Sequence, residues 1–181
     1  ERIVLLREEE GAVGESASGV SAVSARAETL LEGLDRPHGL LTRCVKASCT
    51  LYVAESSRVS AFTYGADRRI IPPGKVIAEL PEGGLNLLRS LARVSTRAGE
   101  RLLVSIGSSC DACIESDSRR GSILSMAFDG SEVKSFATGL RNTLFFARHP
   151  ATGELFASEG GRDLATEDGR SDEVNVLAEG R

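Results

Sequence analysis

The chain has 181 residues, of which 41% are apolar and 27% are charged, so its composition excludes a wholly disordered or fibrous protein. It has 22 basic and 26 acidic residues, and the net charge of −4 leaves no basic surface for nucleic acid. No run of 18 apolar residues occurs, so we predict no membrane-spanning segment.

The first predicted element is a strand at Arg2–Leu6, where five residues include four large apolar side chains. Residues 7–28 are polar and small and show no clear alternation, so we predict a flexible connection there. The sequence starts at Glu1 rather than Met, and we therefore expect a processed product or a fragment, with any targeting segment out of view.

A repeat follows and is the most informative feature of the sequence. Apolar strand-like strings start at residues 51, 102 and 155, about fifty residues apart. Each has a predicted entry strand before it and an alternating strand after it. The strings are Leu51–Glu55, Leu102–Ile106 and Leu155–Glu159; the entry strands are Leu30–Leu34, Val76–Leu80 and Ser135–Leu140; the following strands are Arg58–Phe62, Ser122–Met126 and Glu173–Leu177.

A unit of about fifty residues with about four short strands is typical of a β-propeller blade. We therefore predict an all-β, partial β-propeller as a single domain over 1–181, with blade-like repeats at 29–75, 76–134 and 135–181. Gly84–Arg97 also has helical leucine spacing, but the equivalent places in the other repeats favour a strand. Closed propellers have about four to eight blades, so we expect either a missing propeller half or self-association.

Four cysteines form two close pairs, Cys44/Cys49 and Cys110/Cys113. We favour two local disulfides in an oxidising compartment, with free cytosolic thiols as the alternative. Structural zinc is disfavoured because the two spacings differ and both histidines are far from the pairs. A thioredoxin-like site is disfavoured because a polar loop, rather than a helix, follows Cys113.

Six strings together resemble the soluble pyrroloquinoline-quinone (PQQ) sugar dehydrogenases, most closely the sorbosone dehydrogenase-like branch. The resemblance implies a six-bladed propeller with four strands per blade, of which this chain matches about the first half. It runs in family order from about Leu30 to Gly180. The strings are Leu34–Leu40, Leu51–Glu55, Val104–Cys110, Ala137–Asn142, His149–Leu155 and Ser171–Asn175.

The resemblance also implies two cofactors, PQQ and calcium. Arg141 and Asn142 match an Arg-Asn pair that contacts the quinone, and a guanidinium fork with an amide suits a planar anionic ligand. The backbone carbonyls of Gly161 and Arg162 match the calcium ligands, although the family member with the best-defined site has Pro at the second position. The alternatives are a surface turn at Asn142 and a solvated acidic loop. That loop contains Asp163, Glu167, Asp168, Asp172 and Glu173.

The main departure from the family is at Asn86. The family's general base is a His in a Gly-Gly-His-x-x-Arg-x-Leu string, and Gly84–Leu91 has Asn86 at that position. An amide does not accept a proton near neutral pH, and loss of a positioned base removes about 10²–10⁴-fold in rate. We interpret His38 and His149 as structural residues, with His38 the stronger candidate for a replacement base.

The resemblance therefore implies an oxidoreductase that transfers hydride from a small-molecule sugar or aldehyde to the quinone. A non-catalytic propeller that binds or interacts is the alternative, and Asn86 favours it. A calcium-dependent lactonase-type hydrolase is a third hypothesis, for which no converging set of Asn, Asp and Glu ligands is identified. The paired cysteines and the resemblance indicate a periplasmic or extracellular location.

Overall fold

The computed structural model describes residues 1–15, 21–65, 67, 69–97, 99–163 and 171–179; for residues 8–15 and 21–24 it describes the backbone only. Within these residues every regular element is a strand, and thirteen strands form four antiparallel sheets. The all-β class is therefore confirmed, and the segment considered for a helix instead contains a strand at Leu91–Thr96. The described residues contain no helix that could cross a membrane.

Residues 1–34 form a compact unit of their own. It is a hairpin of β1 (Arg2–Glu15) and β2 (Ser21–Glu32), paired from Arg2 opposite Glu32 to Glu15 opposite Ser21. The sequence predicted a connection over 7–28, but the structure has strand at 7–15 and at 21–28. Residues 16–20 lie outside the described residues. The backbone N–H and C=O groups of β1 and β2 hydrogen-bond to each other, so these polar segments form strands without an alternating apolar pattern.

The second unit begins at Asp35 and contains three sheets, each a meander of consecutive strands. The first sheet is β3 (Gly39–Val45), β4 (Ser48–Ala54), β5 (Arg58–Tyr64) and β6 (Ile70–Glu79); the second is β7 (Leu91–Thr96), β8 (Gly99–Ile106), β9 (Ser122–Met126) and β10 (Lys134–Thr138); the third is β11 (Thr143–Arg148), β12 (Leu155–Glu159) and β13 (Glu173–Leu177). Successive antiparallel meanders with apolar cores between them are propeller blades, so the unit is a partial β-propeller.

The sheets do not coincide with the predicted repeats at 29–75, 76–134 and 135–181. The strands predicted to enter the second and third repeats instead close the preceding sheets, as parts of β6 and β10. Of the true opening strands, β3 and β11 had no separate prediction, and β7 lies within Gly84–Arg97, where a strand was favoured without bounds of its own. Their side chains are mostly half-buried or exposed, so they lack the continuous apolar signal of the inner strands.

The core lies between consecutive sheets, and β8 contributes to both sides of it. Leu102, Val104 and Ile106 pack towards the first sheet, in a cluster with Tyr52 of β4. Leu103 faces the other way and packs in a second cluster that includes residues of the third sheet. A strand buried on both faces is apolar at nearly every position, which explains why the sequence predicted β8 correctly.

Both predicted disulfides are present. Cys44 and Cys49 lie opposite each other at the end of the β3–β4 hairpin. Cys110 and Cys113 are joined within the loop between β8 and β9, and strand β9 is the next regular element after them. Cys113 is thus followed by a loop, as the sequence predicted.

Candidate functional site in the loops after β8 and β12

The site is organised around Gly107 and Ser108, which follow β8. Asn86 donates from Nδ2 to the Ser108 carbonyl at 3.2 Å and to Ser108 Oγ at 2.9 Å. A Cβ at Gly107 would lie 2.5 Å from the Asn86 Cβ and 3.3 Å from Asn142 Oδ1. Only glycine admits this approach, and it brings Asn86 and Asn142 to the same short segment.

Arg141 is bound from two sides. Its Nη2 donates to Asp111 Oδ1 at 2.7 Å and to Asp163 Oδ2 at 3.1 Å, while Nε donates to the Asp111 carbonyl at 3.1 Å. The Arg141 side chain is 15% exposed, whereas that of Asp163 is 78% exposed. Arg141 is thus placed firmly, and the exposed Asp163 is the partner that an incoming anion would displace most easily.

Asn142 is held through its backbone, and its side chain has an unused acceptor. Its carbonyl accepts a hydrogen bond from the Gly160 N–H at 2.9 Å. Asn142 Oδ1 is buried and has no hydrogen-bond partner among the described residues. A buried polar atom without a partner is costly, so a donor brought to this oxygen would stabilise the site.

Glu159 fixes the Arg141-Asn142 pair, and sequence analysis did not identify it. Its buried carboxylate accepts hydrogen bonds from the Arg141 N–H, from the Asn142 N–H at 2.7 Å and from Thr143 Oγ1 at 2.8 Å. Glu55, at the same position after β4, accepts from the Asp35 N–H at 2.8 Å. The repeated Glu at the end of two matching strings was the signal that would have found it.

A cavity of about 340 Å³ is lined by Ser108, Arg141 and Glu159, whereas Asn86 and Asn142 are not among its lining residues. The loop after β8, the segment before β11 and the turn after β12 form its walls, and Gly161 and Arg162 lie in the last of these. The cavity therefore contains the predicted calcium-ligand positions together with Arg141. Its charged lining residues are Arg120, Arg141, Arg162, Asp111, Glu115, Glu159 and Glu173.

The predicted calcium segment is also tied to the acidic loop. The Gly161 N–H donates to Asp172 Oδ1 at 2.8 Å. This contact uses the N–H of Gly161, whereas the predicted calcium ligand is its carbonyl oxygen. Carbonyl and carboxylate oxygens are the ligands that Ca²⁺ prefers, so this wall has suitable donor types. Glu167 and Asp168, which belong to the same predicted acidic loop, lie outside the described residues.

Arg89 lies directly behind Asn86 and is fully buried. It donates to the carbonyls of Asn86 at 2.9 Å, Pro81 at 3.1 Å and Ser56 at 3.1 Å. Burial lowers the pKa of this guanidinium to about 10, with a smaller contribution from the nearby charge of Arg120. Arg89 therefore remains cationic at neutral pH and anchors the backbone that carries Asn86.

The two histidines take structural positions. His149 Nδ1 accepts from the Thr152 N–H at 3.1 Å and so closes its own turn. His38 Nδ1 is 3.3 Å from the Arg89 carbonyl, and its ring is 5.6 Å from that of Phe145. Neither histidine lines the cavity, and in this respect they resemble Asn86 and Asn142.

Comparison with known proteins supports the fold. No family model and no curated protein matches the chain. Among solved structures, the iodide and calcium structures of a Trichoderma reesei carbohydrate-active enzyme of family AA12 are 22% and 21% identical, each with a TM-score of 0.68, covering 97% of this chain and 46% of theirs. The holo form of the pyranose dehydrogenase PQQ domain from Coprinopsis cinerea is 14% identical, with a TM-score of 0.67 over 97% of this chain and 48% of its own.

A third similar structure is the PQQ-bound form of an aldose sugar dehydrogenase from Streptomyces coelicolor. It is 18% identical, with a TM-score of 0.57 over 99% of this chain and 66% of its own. The chain thus spans about half the length of the AA12 and pyranose dehydrogenase chains. At these identities the likeness shows the fold, and the fold is the partial β-propeller described above.

Proposed function

We propose that this chain is part of a PQQ- and calcium-dependent dehydrogenase-like propeller that acts on a small-molecule sugar or aldehyde. The observation that carries the proposal is the convergence of Asn86, Arg141 and Asn142 at Gly107–Ser108, beside a cavity large enough for a small molecule. The sorbosone-type branch and a secreted location are the finer expectations that accompany it, and the two disulfides support the latter.

The residues present fit PQQ and calcium in kind. Arg141 would bind a ligand carboxylate in place of Asp163, its most exposed partner. Asn142 Oδ1 is an acceptor, so it would take a hydrogen bond from an N–H of the ligand rather than contact a quinone carbonyl. The carbonyls of Gly161 and Arg162 would hold calcium, with oxygen as the donor atom that this ion prefers. When bound, PQQ would supply the quinone that accepts a hydride from the substrate.

The chain's own residues would bind and orient the substrate but would move its proton poorly. The Asn86 amide donates to Ser108 through Nδ2, so only its Oδ1 remains to accept a hydrogen bond from a substrate hydroxyl. Because that oxygen does not take up a proton near neutral pH, we expect a rate about 10²–10⁴-fold below that of a chain with a base there. Arg89 would keep the Asn86 backbone in place through its 2.9 Å contact.

A non-catalytic, ligand-binding propeller is the second candidate, and the same residue favours it. With Asn86 in place of a base, the site retains groups that bind and lacks the group that abstracts a proton. The two functions differ in turnover and share binding, so a binding measurement and a rate measurement together separate them.

The test is a titration with PQQ, with and without calcium, followed by thermal unfolding and by aldose-dependent dye reduction. Calcium-dependent stabilisation with dye reduction would support the dehydrogenase, and stabilisation without turnover would support the binding protein. If this chain is a dehydrogenase, Asn86→His should raise its rate of dye reduction by about 10²-fold or more. Asn175→His on β13 is the matched control, and no stabilisation by PQQ at all would refute both candidates.

A further inference from the structure

The loop between β8 and β9 brings two sulfur atoms and a carboxylate together. The ligand atoms of Cys110, Cys113 and Glu115 all lie within 4.8 Å of one another. Cys113 Sγ is 3.8 Å from Glu115 Oε1. Two cysteines separated by two residues have the spacing of a zinc-binding knuckle. Glu115 supplies a third ligand; the sequence analysis considered only cysteines and histidines as zinc ligands.

Glu115 is held in place by its neighbours. The Ser109 N–H donates to Oε1 at 2.6 Å, and Ser109 Oγ donates to Oε2 at 2.7 Å. Hydrogen bonds of this kind orient a carboxylate ligand and commonly accompany metal sites. The carboxylate is therefore already directed by its surroundings, and the loop does not have to rearrange to present it.

We propose that reduction of the Cys110–Cys113 disulfide creates a binding site for zinc or a similar divalent cation, formed by both thiolates and Glu115. With Zn–S bonds of about 2.3 Å, two sulfurs on one tetrahedral zinc are about 3.8 Å apart. Breaking the disulfide lets the sulfurs separate to that distance. Both cysteines and Glu115 line the cavity, so the fourth coordination position faces it and takes water or a ligand.

The zinc site forms in two steps, reduction of the Cys110–Cys113 disulfide and then metal binding. The reductant delivers two electrons, the S–S bond breaks, and each sulfur takes up one proton. Two thiols supply these protons and become a disulfide; with a phosphine, water supplies both protons and the oxygen of the phosphine oxide. Zinc binding then displaces the two thiol protons. Cys113 is exposed, so both the reductant and the metal have access to the sulfur. The site uses neither PQQ nor Asn86, and the inference goes beyond the proposed function.

The experiment compares the oxidised chain with the chain reduced by a phosphine, which is then removed by anaerobic gel filtration. Zinc is added, and bound metal is measured by competition with a chromophoric chelator; cobalt in place of zinc reports thiolate ligation by its charge-transfer absorption. We expect about one zinc per reduced chain and none per oxidised chain. Ser109→Ala should weaken zinc binding about 10–100-fold, and Glu115→Gln should weaken it further.

The chain contains its own control. Reduction also opens Cys44–Cys49, and no such group of ligands surrounds those cysteines within the described residues. A Cys44→Ser/Cys49→Ser variant should therefore keep the zinc site, and a Cys110→Ser/Cys113→Ser variant should lose it. The proposal is overturned if the reduced chain binds no zinc, if the second variant still binds it, or if binding needs Cys44 and Cys49. A cooperative thermal unfolding transition, measured without zinc, checks that each variant is folded.

Discussion

Glu159 shows how one carboxylate can place two residues that lie 17 and 18 positions earlier in the chain. It sits at the end of the middle strand of the third sheet and is 8% exposed. Its oxygens accept from the backbone of Arg141 and Asn142 and from the Thr143 hydroxyl. An ionised carboxylate is the best acceptor for several donors at once, so an amide at this position would present N–H groups to donors.

We therefore expect Glu159→Gln to lower the free energy of unfolding by about 1–3 kcal/mol, because buried donors lose their acceptor. Urea unfolding measures this change. Glu154→Gln, at an exposed turn in the same sheet, is the control and should change stability by less than about 0.5 kcal/mol. Equal effects of the two substitutions would mean that the Glu159 carboxylate does not organise the loop.

Residue-level inference from the sequence found part of this site. Arg141, Asn142 and Asn86 were identified by motif, and the structure brings them to the same loop cluster. Asp111 was not assigned a role, because its partner Arg141 is 30 positions later and no local pattern reveals a contact between loops far apart in sequence. Arg89 was not assigned one either, although two of its carbonyl partners, Asn86 and Pro81, lie within eight residues of it. A carbonyl cage around a buried guanidinium, as at Arg89, leaves no signature in residue type.

At the scale of elements, burial decides which strands the sequence predicts. β8 lies in the middle sheet and is covered on both faces, so Leu102 and Leu103 are both fully buried. The opening strands β3, β7 and β11 have mixed burial; β3 and β11 were missed, and β7 was expected only as part of Gly84–Arg97. The predicted repeats consequently began one strand too early. Turn chemistry did not correct this error, since meander turns within a blade and between blades use the same residue types.

The central role of β8 can be tested at Leu103. This side chain packs with Ala92, Ile123 and Phe136 in the core between the second and third sheets. We expect Leu103→Ala to lower the free energy of unfolding by about 2–5 kcal/mol, because it removes buried methyl groups and leaves a cavity. Thermal and urea unfolding measure the loss.

Leu85→Ala is the matched control for this substitution, since the Leu85 side chain is 65% exposed. It should change stability by no more than about 0.5 kcal/mol. A Leu103→Ala protein as stable as the Leu85→Ala protein would contradict the assignment of β8 as the strand shared by both cores.

At the scale of the whole molecule, the propeller has an uncovered apolar face on its third sheet. Phe145 and Val174 both lie opposite Ser158, and Val176 lies two residues further along the same face. Phe145 is 63% exposed and Val174 is 74% exposed. The opposite face of this sheet is buried against the second sheet, where Leu155 joins the shared core. An apolar strand face of this kind favours association with another sheet.

We expect the 181-residue chain alone to use this face for association with a second copy, since the chain spans about half the length of the AA12 and pyranose dehydrogenase chains it resembles. Sedimentation velocity should show a concentration-dependent increase in sedimentation coefficient. Val174→Lys should suppress that increase, because burial of an unpaired ammonium in the contact is costly. Val133→Lys, at an exposed position between β9 and β10 that lies outside this face, should leave it unchanged. A monomer at every concentration, or equal effects of the two lysines, would mean that the third sheet is not the contact surface.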